Sequence, residues 1–152
     1  METQTQTPIL LVVGLFLFAF PLMFGFVIFI LSLFGWRILA NDYQTMGGPV
    51  GHSIGSMKSL RMNGINYNNI VNVRVGEEGL YFSMPFIFRL FHPPLLIPWN
   101  EIARVKRKNV LFSQYWKLYI GRSQSVAISI PNRWFGDLER FIPREAMADA
   151  QR

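Results

Sequence analysis

The sequence has no cysteine, which excludes disulfides, zinc–thiolate centres and iron–sulfur clusters. Its two histidines, His52 and His92, are too few for a histidine-based metal site. No cation stands before Arg37, and the first 36 residues carry a single charge, Glu2. Charged residues make up 16% of the 152, against about 25% in an ordinary soluble domain. Paired catalytic carboxylates, a phosphate-cradling loop and a usable nucleophile triad are all missing. No catalytic residue, cofactor or metal is therefore expected.

What the chain has in excess is apolar surface, 51% of its residues, and that excess is concentrated at one end. From Ile9 to Trp36 there is no charge and one hydroxyl, Ser32. About 20 apolar residues suffice to span a bilayer core. Leu, Ile, Val and Phe dominate the run, each favouring insertion by ~0.3–0.6 kcal/mol near the bilayer centre. A cleaved signal peptide would need a basic start and a shorter apolar core, and Met1–Pro8 has no Lys or Arg. A soluble helix would show a polar face. A hairpin broken at Pro21 would leave two arms too short to cross. The expectation is one transmembrane helix over residues 9–36, bent at Pro21 and preceded by a tail of residues 1–8.

Trp36 and Arg37 suit the headgroup boundary, an aromatic ring followed by a cation, and are the candidate membrane-boundary anchors. With Lys58 and Arg61 further on, the charge asymmetry places the N-terminus outside and the main domain in the cytoplasm. Residues 37–57 then read as a glycine-rich linker, reaching roughly 25 Å root-mean-square if flexible. Inside it, Gly51-His52-Ser53-Ile54-Gly55 matches the G-x-S-x-G nucleophile elbow. The elbow needs a strand before the serine and a helix after it, and neither is expected here. A hydrolase using Ser53 is accordingly the weakest of the functional readings.

From residue 58 to 142 the hydrophobic period changes to two. Val71, Val73 and Val75 alternate with polar residues up to Gly76-Glu77-Glu78-Gly79, and Leu80, Phe82 and Met84 alternate after it, which predicts a hairpin. A second hairpin joins Trp116, Leu118 and Ile120 to Val126, Ile128 and Ile130 through Gly121-Arg122-Ser123-Gln124. Leu95–Trp99, Ile102–Lys108 and Lys58–Asn63 supply further strands. After Pro131, Asn132 is a candidate helix cap, and Trp134, Phe135, Leu138, Phe141 and Ile142 recur at helical spacing until Pro143. The fold class expected is a single transmembrane helix plus a mainly-β domain of six or seven antiparallel strands capped by a C-terminal amphipathic helix. Residues 143–152 form a tail.

Three segments carry a resemblance: Val73–Phe82, then Ile97-Pro98-Trp99-Asn100-Glu101-Ile102, then Ile128-Ser129-Ile130-Pro131. In these the chain resembles bacterial membrane-anchored domains of the pleckstrin-homology (PH) and GRAM type. That resemblance implies a PH-like barrel at a bacterial inner membrane and a role in binding lipid or protein. Phosphoinositide-binding members place basic residues around the first hairpin loop, whereas Asn63–Asn69 here has none.

Two features are candidate contacts. Arg104, Lys106 and Lys108 share one face of a strand, where like charges repel and stay solvated. They either blunt a sheet edge or meet anionic phospholipid headgroups. Phe86, Phe88 and Phe91 belong to a segment too apolar for an ordinary loop, read either as core or as a protrusion into the bilayer interface or onto a partner. The leading expectation is a non-enzymatic protein whose anchored domain binds the membrane surface or a protein. The second is an accessory subunit of a larger membrane complex, with a membrane protein as partner. Basic and aromatic residues interleave in Tyr115-Trp116-Lys117-Leu118-Tyr119, as on base-stacking platforms, but no nucleic-acid partner is expected beside a membrane anchor.

Overall fold

Helix α1 occupies Gln6–Phe34 in the computed structural model, which describes residues 6–110, 113–122, 124 and 126–148. Residues 1–5 of the expected N-terminal tail, Ser123 of the second expected turn and the last four residues of the expected C-terminal tail lie outside the described residues. The 23 residues Pro8–Ile30 have a mean hydropathy of 2.6, and none of them is buried in the rest of the chain. At ~1.5 Å per residue they extend ~35 Å, more than the ~30 Å hydrocarbon core of a bilayer. The helix is therefore long and apolar enough to cross a membrane. Pro21 lies inside it without ending it.

Gly35 breaks the helix with non-helical angles (φ −135°, ψ −67°), and α2 follows at once over Trp36–Tyr43. Seven strands come next: β1 (His52–Met62), β2 (Ile65–Val75), β3 (Leu80–Ser83), β4 (Leu95–Ile97), β5 (Ile102–Val110), β6 (Ser113–Ile120) and β7 (Val126–Pro131). They form one antiparallel sheet in the order β4-β3-β2-β1-β7-β6-β5, curled into a half-barrel. Both expected hairpins are present, with Val75 opposite Leu80 and Val73 opposite Phe82 in the first. In the second, Ile120 faces Val126 and Trp116 faces Ile130. The period-two residues do what their spacing requires: Val71, Val73, Val75, Leu118, Ile120, Ile128 and Ile130 all point into the core.

The glycine-rich segment differs most from expectation. Residues 37–57 are not a free linker. Trp36, Leu39 and Ala40 of α2 are buried in the domain, and the backbone of Thr45 donates to Pro94 O at 3.0 Å. Arg74 then holds the next turn, donating from Nε to Val50 O and from Nη2 to Gly51 O. Gly51 has φ +69°, and a Cβ there would sit 2.0 Å from the Val75 carbonyl oxygen. Gly51 thus serves close backbone approach rather than flexibility, two causes that composition alone does not separate. Strand β1 begins six residues before the expected domain boundary at Lys58.

The β1–β2 hairpin turns at Asn63-Gly64, both with positive φ (46° and 88°), as a two-residue hairpin of this twist requires. Its Asn-Gly pair was a readable signal for a hairpin starting at the strand expected to end there. After β7, α3 covers Asn132–Glu139 and buries Trp134, Phe135 and Leu138. Asn132 does not cap it: its Oδ1 accepts from Trp116 Nε1 at 2.7 Å, while Trp116 stacks on Phe135 with ring centroids 3.6 Å apart. The segment expected as a tail from residue 143 contains α4, Arg144–Met147, which packs on β5 and buries Ala146.

Candidate functional site

The connection from β3 to β4, residues 84–94, meets the end of α1. Phe86–Phe88 form one 3-10 turn, closed by the Phe88 and Arg89 amides donating to Pro85 O and Phe86 O. Two prolines, Pro93 and Pro94, then restrict the return to β4. The outcome is a short, shaped protrusion whose tip is apolar. Phe86 is 87% exposed, Leu90 81% and Ile87 71%, more than any of the large apolar side chains exposed along α1. Phe88 and Phe91, by contrast, are half-buried, Phe88 against the core.

Phe91 faces α1. Its ring meets Phe29 edge-on at 5.4 Å, and Ser32 Oγ donates to its carbonyl oxygen. Ser32 was the single hydroxyl of the apolar run, and this bond is what it is for. Covering begins only here: Ile28, Phe29 and Ile30 are partly buried, whereas almost every residue before them is exposed. The apolar tip is therefore tied to the last turns of the helix that could span a bilayer.

Behind the tip lies an aromatic lock. Trp36 is fully buried, donates from Nε1 to Pro93 O at 2.7 Å, and presents its backbone amide to Tyr67 Oη at 3.3 Å. Trp36, Tyr67 and His92 meet pairwise edge-to-face at 5.5–5.7 Å. Trp36 is consequently not a ring at the headgroup boundary; it is the peg that joins helix to sheet. Its neighbour Arg37 is exposed. His92 is 2% exposed, and neither ring nitrogen has a hydrogen-bond partner among the described residues. Burial holds its pKa below the ordinary histidine value; the Phe88 backbone, short of hydrogen-bond geometry, pulls more weakly the other way. Burial likewise pushes the Tyr67 phenol up to about 12. At the end of α2, Tyr43 donates to Glu101 Oε2 at 2.9 Å and is also raised to about 12, by burial first and the carboxylate second.

Arg104, Lys106 and Lys108 lie on β5, one edge of the sheet, opposite Tyr119, Lys117 and Tyr115. Lys106 facing Lys117 keeps this face solvated, because like charges directly opposite repel. Arg107 is on the other face, its guanidinium 5.9 Å from the Trp116 ring centre and donating to Gln114 Oε1. The apolar protrusion precedes β4, the opposite edge, so the two candidate contacts are separate places on the sheet. Ser53 lies within β1 opposite Arg74, not at a strand-to-helix turn, and so lacks the elbow geometry. Composition picked out the apolar segment, but its split into exposed tip and packed base, and the role of Trp36, required the fold.

No family model, no curated protein and no solved structure matches this chain.

Proposed function

We propose that the protein is a non-enzymatic, membrane-anchored domain of PH-like type that lies against the cytoplasmic surface of a bacterial inner membrane. The observation that carries this reading is the position of the tip. Phe86, Ile87 and Leu90 are exposed next to Phe29 and Ser32, where an apolar helix of spanning length ends. In water these side chains are costly to leave uncovered; full burial of each would return ~1.5–3 kcal/mol. Placed at the bilayer boundary they bury themselves in the headgroup and upper acyl region. The helix anchors the domain, and the tip together with the Trp36 lock sets its attitude, so that it does not swing on a tether. Arg104, Lys106 and Lys108 contribute ~1 kcal/mol each where they approach an anionic leaflet.

The lack of native cysteine makes a direct test convenient. The full chain carrying Leu90→Cys is inserted into inverted membrane vesicles and treated from the outside. Protease should digest the domain, while an impermeant maleimide should label position 90 at least tenfold more slowly than a Gln114→Cys control. Protection of the domain would reverse the topology, and equal labelling would remove the tip from the bilayer.

A further inference from the structure

Between α2 and the protrusion lies a cleft of about 440 Å3. One wall is α2 with the residue that caps its C-terminus, contributing Arg37, Asn41 and Gln44. Arg37 and Asn41 are spaced i and i+4 and so share one helix face, with Gln44 just past its end. The other wall contributes Arg89, Leu90 and Phe91. Arg89 donates from Nε to Met84 O at 3.1 Å, which roots its guanidinium, and the residue is exposed. Neither arginine meets a carboxylate among the described residues, and Asp42 projects about 140° around α2 from Arg37. The cleft therefore joins two cations without a counter-ion to an apolar floor, and that floor continues through Phe91 onto Phe29 of α1.

Resting on the membrane reading above, we propose that this cleft binds the headgroup of one anionic phospholipid. The two guanidinium groups take the phosphodiester, as planar forks matched to phosphate oxygens. Asn41 and Gln44 offer amides to a hydroxylated headgroup, and the acyl chains lie along Leu90, Phe91 and the last turns of α1. Four features favour a lipid over a soluble phosphate: the position beside the end of the apolar helix, the exposed Leu90, the half-buried Phe91 and the continuity onto Phe29. Two cations with no acid also select a net negative headgroup over a zwitterionic one, whose trimethylammonium group would have no partner in the cleft.

The test uses the full chain in mild detergent, titrated with phosphatidylglycerol or phosphatidylcholine and read by native mass spectrometry. Phosphatidylglycerol should be retained preferentially, and the preference should fall about fivefold for each arginine replaced, in Arg37→Gln and in Arg89→Gln. Arg37 is exposed and its side chain has no hydrogen bond among the described residues, so Arg37→Gln should leave the unfolding midpoint unchanged. This keeps the result readable even if Arg89→Gln disturbs the protrusion. Lys106→Gln on β5 should leave the preference intact. Equal retention of the two lipids, or a preference that survives Arg37→Gln, would overturn the proposal. Displacement of the lipid by low-millimolar inorganic phosphate would overturn it too, in favour of a free-anion site. If the thiol of the Leu90→Cys chain is shielded in vesicles while no lipid preference is found, the headgroup site falls and the membrane reading stands. A preference found without that shielding would sustain the site and remove the reading.

Discussion

The two ends of the half-barrel carry the same kind of part and are finished differently. At one end Trp116 stacks on Phe135 of α3 and bonds Asn132, and Trp99 stacks on Phe141 at 5.1 Å while donating to Gly76 O. At the other, Trp36 packs on Tyr67 and His92 and donates to Pro93 O. Around α3 the outward residues are polar or charged: Asn132, Arg133, Asp137, Glu139 and Arg140. Around Trp36 polar residues such as Arg37, Asn41, Gln44 and Arg89 are joined by exposed large apolar ones, Ile38, Phe86, Ile87 and Leu90. The chain is thus able to bury large rings under a polar surface, and adds an exposed apolar tip at the helix end only. The apolar finish at the helix end is a property of that end, matched to what lies beside it.

The largest expected effect is on the lock. Trp36→Ala removes a buried ring, its bond to Pro93 and two aromatic partners, and should destabilise the domain by about 3–5 kcal/mol in denaturant unfolding of the full chain in detergent. Trp116→Ala, at the half-exposed seam with α3, should cost clearly less; equal losses would erase the difference between the ends. Gly51→Ala forces a Cβ onto the Val75 carbonyl at positive φ and should cost about 2 kcal/mol or more. A loss below ~0.5 kcal/mol, the size of an ordinary surface change, would mean that the segment is the free linker its composition suggests.

The helix end should also be the acid-sensitive one. His92 has its folded-state pKa lowered, so the unfolded chain binds the proton more readily. Its contribution is complete above the unfolded value near 6.5 and is lost as pH falls below it toward the folded value. The melting midpoint should therefore drop between about pH 7.5 and about pH 5.5, and the part of that drop due to this residue should disappear in His92→Phe. An unchanged slope in the variant would move the acid sensitivity elsewhere. The smallest effect belongs to Asn132→Ala, which removes one exposed hydrogen bond to Trp116 and should cost ~0.5–1 kcal/mol. A larger loss would indicate that Asn132 also serves α3 as a cap.

The sheet was readable because a half-buried strand imposes strict alternation, as in Val71–Val75 and Val126–Ile130. The apolar helix was readable because bilayer thickness imposes a length. The junction was not. Trp36 next to Arg37 has the composition of a headgroup anchor, and only the three-dimensional meeting with Pro93, Tyr67 and His92 shows it as core. Likewise, Gly47, Gly48 and Gly51 have the composition of a linker, whereas Arg74, 23 residues beyond Gly51, pins that turn. Phe86 and Phe88 stand two residues apart, yet one is exposed and the other packs on the core, because a 3-10 turn replaces the strand that alternation would need. Long-range contacts set these outcomes, and local pattern carries no record of them.

Whether the protrusion sits in the bilayer is decided most directly by fluorescence quenching. The full chain with Phe86→Cys, labelled with an environment-sensitive dye and reconstituted into vesicles, is quenched in turn by lipids carrying a nitroxide at the headgroup and partway down the acyl chain. A Gln114→Cys label serves as the comparison. Strong quenching at position 86 by both nitroxides, with little at 114, is the predicted result. Equal, weak quenching at both positions would place the apolar tip in water and contradict the membrane-seated domain.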